Sequence, residues 1–285
     1  MRKRAYDLEF QPKERRRRDQ ALRFLGGFCA IVLLLGIVSA VALQRDGLVD
    51  QLLDALRPTE AATEPPEGAW LHTGSALFLL CETDTAQRSL RFCALVRVDI
   101  AGQRLFIHPL SPQATGVIDG HELTLEQALR EGGPKELKAA VEGMTEGTID
   151  RYISSNDDGF KRAVNLMGSV TVTVEEGINY NVSRSDFSLI LAKGIQPLSG
   201  DPLLRYFRYL GTLGEEAALA QGVLLRRVLE TYLAKPLDAA QLESRFNNLM
   251  NMIQTDISAK DFYTRQDLLL DILAQGANFT VEVKE

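Results

Sequence analysis

Residues 148–176 read TIDRYISSNDDGFKRAVNLMGSVTVTVEE, and this stretch decides the fold class. Its first part, 148–156, reads as a strand that runs out into Ser-Ser-Asn. Asp157 or Asp158 places a carboxylate where the first backbone N–H groups of a helix need an acceptor. GFKRAVNLM then reads as that helix, with Gly168 as its stop. SVTVTVE (169–175) alternates strictly, the pattern of a strand with one buried face. Strand, helix and strand in immediate succession point to an α/β or α+β domain, a central mixed sheet covered by helices.

The flanking sequence extends the pattern. Upstream, ALFLLCE (76–82), RFCALVRVDI (91–100) and RLFIHPL (104–110) are apolar strand-like runs, and Ala101-Gly102 makes a hairpin turn between the last two. Thr124 and Gln127 form a capping-box pattern ahead of LEQALRE; Gly132-Gly133 ends that helix and Pro134 opens the next. Downstream, Asp201-Pro202 starts a helix over LLRYFRYL, and EEAALAQGVLLRRVLETYLA is a long amphipathic helix with a glycine inside it. Residues 242–253 read as a further helix. Ser258 and Asp261 make a second capping box before DFYTRQDLLLDILAQG, and NFTVEVKE closes the chain as an edge strand.

The N-terminal quarter is of another kind. Nine Lys or Arg against four acids leave residues 1–23 at +5 and, with a net charge of −6, the rest at −11. Residues 24–43, FLGGFCAIVLLLGIVSAVAL, carry no charge, and twenty helical residues span about 30 Å, the hydrocarbon thickness of a bilayer. Arginine-rich sequence before such a span keeps that end in the cytoplasm and exports the C-terminus. A cleaved signal peptide competes with this reading, but its apolar core would be shorter. Residues 46–56 form a short amphipathic stretch, and 57–68 (RPTEAATEPPEG) read as an extended linker. The expected organisation is a basic cytoplasmic tail (1–23), a transmembrane helix (24–43), a juxtamembrane helix and Pro/Glu-rich linker (44–69), and an extracytoplasmic domain (70–285). An acidic exported domain argues against nucleic-acid binding, which depends on a basic surface.

Standard catalytic motifs are missing: no Walker loop, G-x-S-x-G, H-E-x-x-H or dinucleotide fingerprint occurs. His72, His108 and His121 have no metal-ligand spacing. Cys29 falls in the apolar span; Cys81 and Cys93 either pair across neighbouring strands or stay as buried thiols. Asp84, Asp157 and Asp158 could bind a cation, but turn and cap roles explain them more cheaply. In Arg205-Tyr206-Phe207-Arg208-Tyr209 the two arginines lie one helical turn apart. Arg captures phosphate in bidentate fashion, and aromatics line apolar channels; the bland alternative is aromatics in the core and arginines in solvent.

From about Trp70 onward the ordered segments resemble the LytR-CpsA-Psr family, membrane-anchored extracytoplasmic domains of bacterial cell envelopes. Residues 148–176 resemble the family's run of Ile-Asp-x-Tyr-Val, a Gly-Phe helix, and Leu-Gly-Gly-Val-x-Val. GIQPLSGDPLLRYFRY (194–209) resembles Gly-x-Gln-x-Leu-x-Gly leading into Leu-x-Tyr-x-Arg, matching Tyr206 and Arg208. Gly132-Gly133 and TDISAKDF (255–262) fall where the family has a Gly-Gly pair and a Thr-Asp segment. The resemblance implies binding of a polyprenyl-(pyro)phosphate-linked glycopolymer and its transfer onto peptidoglycan. It implies arginines on the pyrophosphate, here Arg208, Arg205 and Arg91 with Gln221. An apolar lipid pocket is implied as well, here Phe207, Tyr206 and Phe160. Acidic residues for magnesium are implied if the chain is active; the residues themselves name no cofactor and no metal ligand.

The pattern breaks where the chemistry belongs. Ser89-Leu90-Arg91-Phe92 stands for Arg-x-Asp-Thr, and the segment from His108 to Gln113 lacks an expected Arg-Asp pair. The helix opening from Glu215 to Gln221 keeps an acid and the Gln but neither Arg. The sequence therefore leads to a membrane-anchored cell-wall protein that binds a lipid-linked glycopolymer with degraded catalytic residues. An active glycopolymer–peptidoglycan phosphotransferase using substitute residues stands beside it, as does a non-catalytic envelope scaffold with protein partners.

Overall fold

The structure is a computed structural model that describes residues 76–284 apart from 119, 146, 184 and 265. The basic tail, the apolar span with Cys29, the linker, His72 and the boundary at Trp70 lie outside the described residues. Among the described residues no helix is long and apolar enough to cross a membrane.

The chain opens with strand β1 (Ala76–Thr83), whose apolar run shows no alternation because it is covered on both faces. β2 (Leu90–Asp99) and β3 (Arg104–Leu110) follow as an antiparallel meander, with the turn expected at Ala101-Gly102. A small hairpin comes next, β4 (Thr115–Ile118) and β5 (His121–Thr124), which lies outside the main sheet. Helix α1 (Leu125–Thr145) starts from the expected capping box: Thr124 Oγ1 accepts from the Gln127 N–H at 3.1 Å, and Gln127 Oε1 accepts from the Thr124 N–H at 2.8 Å. Gly133, at φ 71°, breaks α1 into two segments just before Pro134.

β6 (Arg151–Asn156) returns parallel to β1 and feeds α2 (Asp157–Met167). The cap of α2 differs from expectation: Asn156 Oδ1 accepts from the Gly159 N–H at 2.8 Å, so Asp157 and Asp158 sit in the first turn instead. β7 (Val170–Val174) has the alternating burial its sequence announces. It pairs with a later strand in a separate ribbon rather than joining the central sheet. β8 (Ile178–Tyr180) and β9 (Leu189–Leu191) pair with each other, and β10 (Gly194–Leu198) is the partner of β7.

Helices α3 (Gly200–Leu210), α4 (Ala217–Leu233) and α5 (Ala239–Met250) follow, the last beginning earlier than expected from an Asp238–Gln241 capping box. β11 (Gln254–Thr255) adds an edge to β6. The expected last helix is two, α6 (Ala259–Tyr263) and α7 (Gln266–Ala274), and β12 (Thr280–Val283) closes the other edge, parallel to β3.

The central sheet is mixed and six-stranded, in the order β11-β6-β1-β2-β3-β12. One face, with Leu77, Leu79, Cys93 and Leu95, packs on α1. The other, with Phe78, Ala94, Val96 and Ile107, packs beneath the helices that follow β6. Cys81 and Cys93 stand opposite each other in the β1–β2 register as free, buried thiols. Burial pushes Cys81 up to about 12, against a lowering contact with Ser154, so it is held as the unreactive thiol.

Candidate functional site

The site forms where β1 and β2 end beside α2, α3 and α4. In the β1–β2 ladder Glu82 faces Phe92 and Thr83 faces Leu90, leaving Arg91 as the extra residue of a β-bulge. A bulge turns its odd residue out of the pleat. Leu90 and Phe92 consequently enter opposite cores, and Arg91 projects into a cleft between them. On α3, adjacent residues divide the same way: Phe207 is buried among apolar side chains, while Arg208 lines the cleft.

Arg91 and Arg208 converge on one carboxylate. Asp186 Oδ2 accepts from Arg91 Nη2 at 3.3 Å and also from Arg208 Nη2. The Arg208 guanidinium lies 5.1 Å from the Phe187 ring centroid, and the Nε atoms of both arginines are buried without a hydrogen-bond partner. Gln221, buried in α4, donates from Nε2 to the carbonyls of Phe207 at 3.1 Å and Arg91 at 3.3 Å, tying both arginine-bearing segments together. The cleft has a volume of about 360 Å³; its far rim carries Ser111, Gln113, Glu126 and Glu215. Glu126 accepts from Ser89 Oγ and Gln113 Nε2, both at 3.2 Å, which fixes that rim.

Beside the cleft lies an apolar cavity of about 90 Å³, lined by Phe92, Phe160, Val164, Phe207 and Val228 among others. Phe207 meets Phe92 edge-on at 5.1 Å and Phe160 at 5.8 Å. A dry cavity of about 150 Å³ holds one benzene. This one therefore takes a few carbons of a chain as it stands, and a longer tail requires the walls to part.

Glu82 lines that cavity at 3% exposure, and its side chain hydrogen-bonds to the Asp157 carboxyl. Burial, and then the neighbouring Asp157 carboxyl, push its pKa well above the usual carboxylate range against the opposing charges of Arg91 and Arg208. Asp157 accepts from Thr85 Oγ1 at 3.2 Å through Oδ2, and its Oδ1 is buried. Among the described residues no group of three or more His, Cys, Asp or Glu gathers to hold a metal alone. Magnesium, however, is commonly held by one or two carboxylates together with substrate phosphates. Glu82 and Asp157 do not fit that role as they stand, because burial and the Asp157 carboxyl hold the proton on Glu82 and the two side chains hydrogen-bond to each other.

Of the residues expected from sequence, the fold brings Arg91, Arg208 and Gln221 around one cleft and puts Phe160 and Phe207 in the adjoining cavity. Arg205 points elsewhere: its Nε pairs with Asp201 at 2.6 Å and its Nη1 donates to the Ser188 carbonyl at 3.0 Å. Tyr206 lines a different, surface groove with Val172, Glu175 and Val223, which shares only Leu224 with the apolar cavity. Helical spacing put Arg205 and Arg208 on one face, but each is drawn to a different carboxylate. Asp84 does serve a turn, accepting from the Arg88 and Ser89 N–H groups. Glu82 and Asp186 went unnoticed in the sequence. A Glu inside the apolar run ALFLLCET was the only available signal for the first; an acid in a polar loop gives none for the second.

Solved structures share this architecture. A protein from Eubacterium siraeum DSM 15702 superposes with a TM-score of 0.64 at 16% identity, covering 80% of this chain and 88% of its own. TagV of B. subtilis gives 0.58 at 16%, covering 74% and 84%. TagT bound to LI-WTA gives 0.54 at 21%, covering 80% and 81%. At such identities these likenesses speak for the fold. Comparison with curated protein sequences gives no match. The sequence model of the LytR_cpsA_psr family matches residues 96–282, about two thirds of the chain, and the protein belongs to that family.

Proposed function

We propose that this chain is a membrane-anchored protein of the bacterial cell envelope that binds a polyprenyl-(pyro)phosphate-linked glycopolymer during cell-wall assembly. In this reading the N-terminus is cytoplasmic and the C-terminal domain extracytoplasmic. Arg91 and Arg208 hold the phosphates, and the cavity around Phe160 and Phe207 takes the first carbons of the lipid. One observation carries the reading: the arginine pair in the cleft and the apolar cavity share a wall built from neighbouring residues, Arg91 with Phe92 and Arg208 with Phe207. A charged head group joined to an apolar tail needs that juxtaposition. A membrane-tethered domain would also meet a membrane-bound donor at high effective concentration.

Transfer to peptidoglycan by the chain itself is the second reading, and the Glu82–Asp157 carboxyl pair beside the arginines favours it. The two arginines would fix the diphosphate, Phe92 and Phe207 would exclude water, and Glu82 would hold a proton on its buried carboxyl.

The test is calorimetric binding of farnesyl pyrophosphate to the full-length chain in detergent. Arg208→Ala is expected to weaken binding about tenfold or more, the worth of one charge-assisted hydrogen bond of about 1.5–3 kcal/mol. Equal affinity in the variant, or no binding by the folded wild type, would sink the binding role and leave the scaffold reading.

A further inference from the structure

The clamp already holds an anion. Asp186 sits between β8 and β9 with its carboxylate bridging Arg91 and Arg208, and at 60% side-chain exposure it stands at the mouth of the cleft rather than in its floor. Its neighbours on that loop are anchored independently of it. The Phe187 ring stacks on Tyr180 at 5.0 Å, Tyr180 meets Tyr209 edge-on at 5.6 Å, and the Ser188 carbonyl accepts from Arg205. The loop thus keeps its place on α3 when the Asp186 side chain rotates, and the rotation alone opens both guanidinium groups.

We infer that Asp186 is an internal competitor for the phosphate site, seated on Arg91 and Arg208 in the resting protein and displaced when a diphosphate enters. The inference rests on the clamp proposed above and adds a control to it. Two guanidinium groups facing one carboxylate leave a single surplus positive charge at the clamp itself, with Glu126 and Glu215 across the cleft. An incoming anion binds only the fraction of molecules in which the carboxylate has swung away, so its affinity is lowered by that fraction. Partial burial opposes ionisation of Asp186, but Arg208 and Arg91 outweigh it and hold the carboxyl below its ordinary range, so the competitor stays charged. The seated carboxylate also keeps Arg208, only 10% exposed, from standing with an unmatched charge while the site is empty.

The experiment is titration of the full-length chain in detergent with inorganic pyrophosphate, comparing wild type, Asp186→Ala and Asp186→Asn. Both variants are expected to bind roughly fivefold more tightly, the effect of removing one partly exposed ion pair. Asp201→Ala, which removes an equal charge from the Arg205 pair outside the cleft, serves as the control for general electrostatics and is expected to change affinity far less. Wild-type binding that Asp186→Ala leaves equal or weakens would overturn the inference and make Asp186 a positioning residue for the arginines. A gain matched by Asp201→Ala would overturn it in favour of net charge. Absence of pyrophosphate binding in all variants, each shown folded by a cooperative melt, would overturn the clamp itself and this inference with it.

Discussion

Gln221 joins three elements through one amide, from inside α4 to the Phe207 carbonyl on α3 and the Arg91 carbonyl in the β2 bulge. Gln221→Ala removes both bonds at a buried junction, an expected cost of about 1–3 kcal/mol, read as a lower urea midpoint at unchanged slope. Both arginine-bearing segments loosen together, so pyrophosphate affinity should fall too; a variant with full stability and full affinity would refute the positioning role. Glu82 makes a pH-dependent prediction. Its folded pKa is raised above the about 4.3 of a free glutamate, so the folded chain holds the proton more tightly than the unfolded one. The stability this group supplies is complete below about pH 4 and is lost as pH rises through the folded value. Glu82→Gln cannot ionise, so it should be more stable relative to the wild type at about pH 8 than at about pH 4. Thermal melts at both pH values decide it, and a difference that ignores pH would show that Glu82 is not held protonated. Sequence could reach Arg208 and Gln221 because each stands in a local pattern. The chemistry of Glu82 was out of reach, since it comes from burial in the folded core and then from Asp157, which is brought beside it only when β6 pairs with β1.

Elements with their own start and stop signals were legible. α1 announced its capping box and its glycine break, and α2 and α3 began and ended close to their expected limits. β8, β9 and β11 were not, because strands of two or three residues have no periodicity to read and exist only through a partner elsewhere in the chain. The bulge at Arg91 was equally hidden, as a register shift belongs to the pair and not to either strand. Gly222 shows how packing between elements can override local propensity. It lies within α4 where the helix crosses β3, and a Cβ there would stand 2.4 Å from Pro109 Cγ and 3.3 Å from Val283 Cγ1. Alanine is about 1 kcal/mol better than glycine inside a helix, but overpacking against a rigid proline ring costs about 1–3 kcal/mol. The clash should win narrowly: Gly222→Ala is expected to lower the urea midpoint, and a rise would mean that α4 rides freely over β3.

At the scale of the whole molecule, the sheet separates a core closed by α1 from a core shared by the helices after β6, and the cavity belongs to the second. That division makes head-group binding and tail binding separable by mutation. Ala163, on α2, is buried in the cavity wall and lies away from the arginine cleft. Ala163→Leu adds three carbons to a space of about 90 Å³, filling much of it without touching Arg91, Arg208 or Gln221. Inorganic pyrophosphate should then bind within roughly twofold of wild type, while the extra affinity of farnesyl pyrophosphate, about 0.8 kcal/mol for each buried CH₂, should largely vanish. Titration of both ligands against both proteins makes the comparison, with thermal melts to show that the leucine is accommodated. If the variant keeps the full farnesyl advantage, the tail lies elsewhere, and the exposed groove beside Tyr206 becomes the place to look for it. If both ligands weaken together, the walls of cleft and cavity move as one body, and the lipid must open the cavity before the arginines can close on the diphosphate.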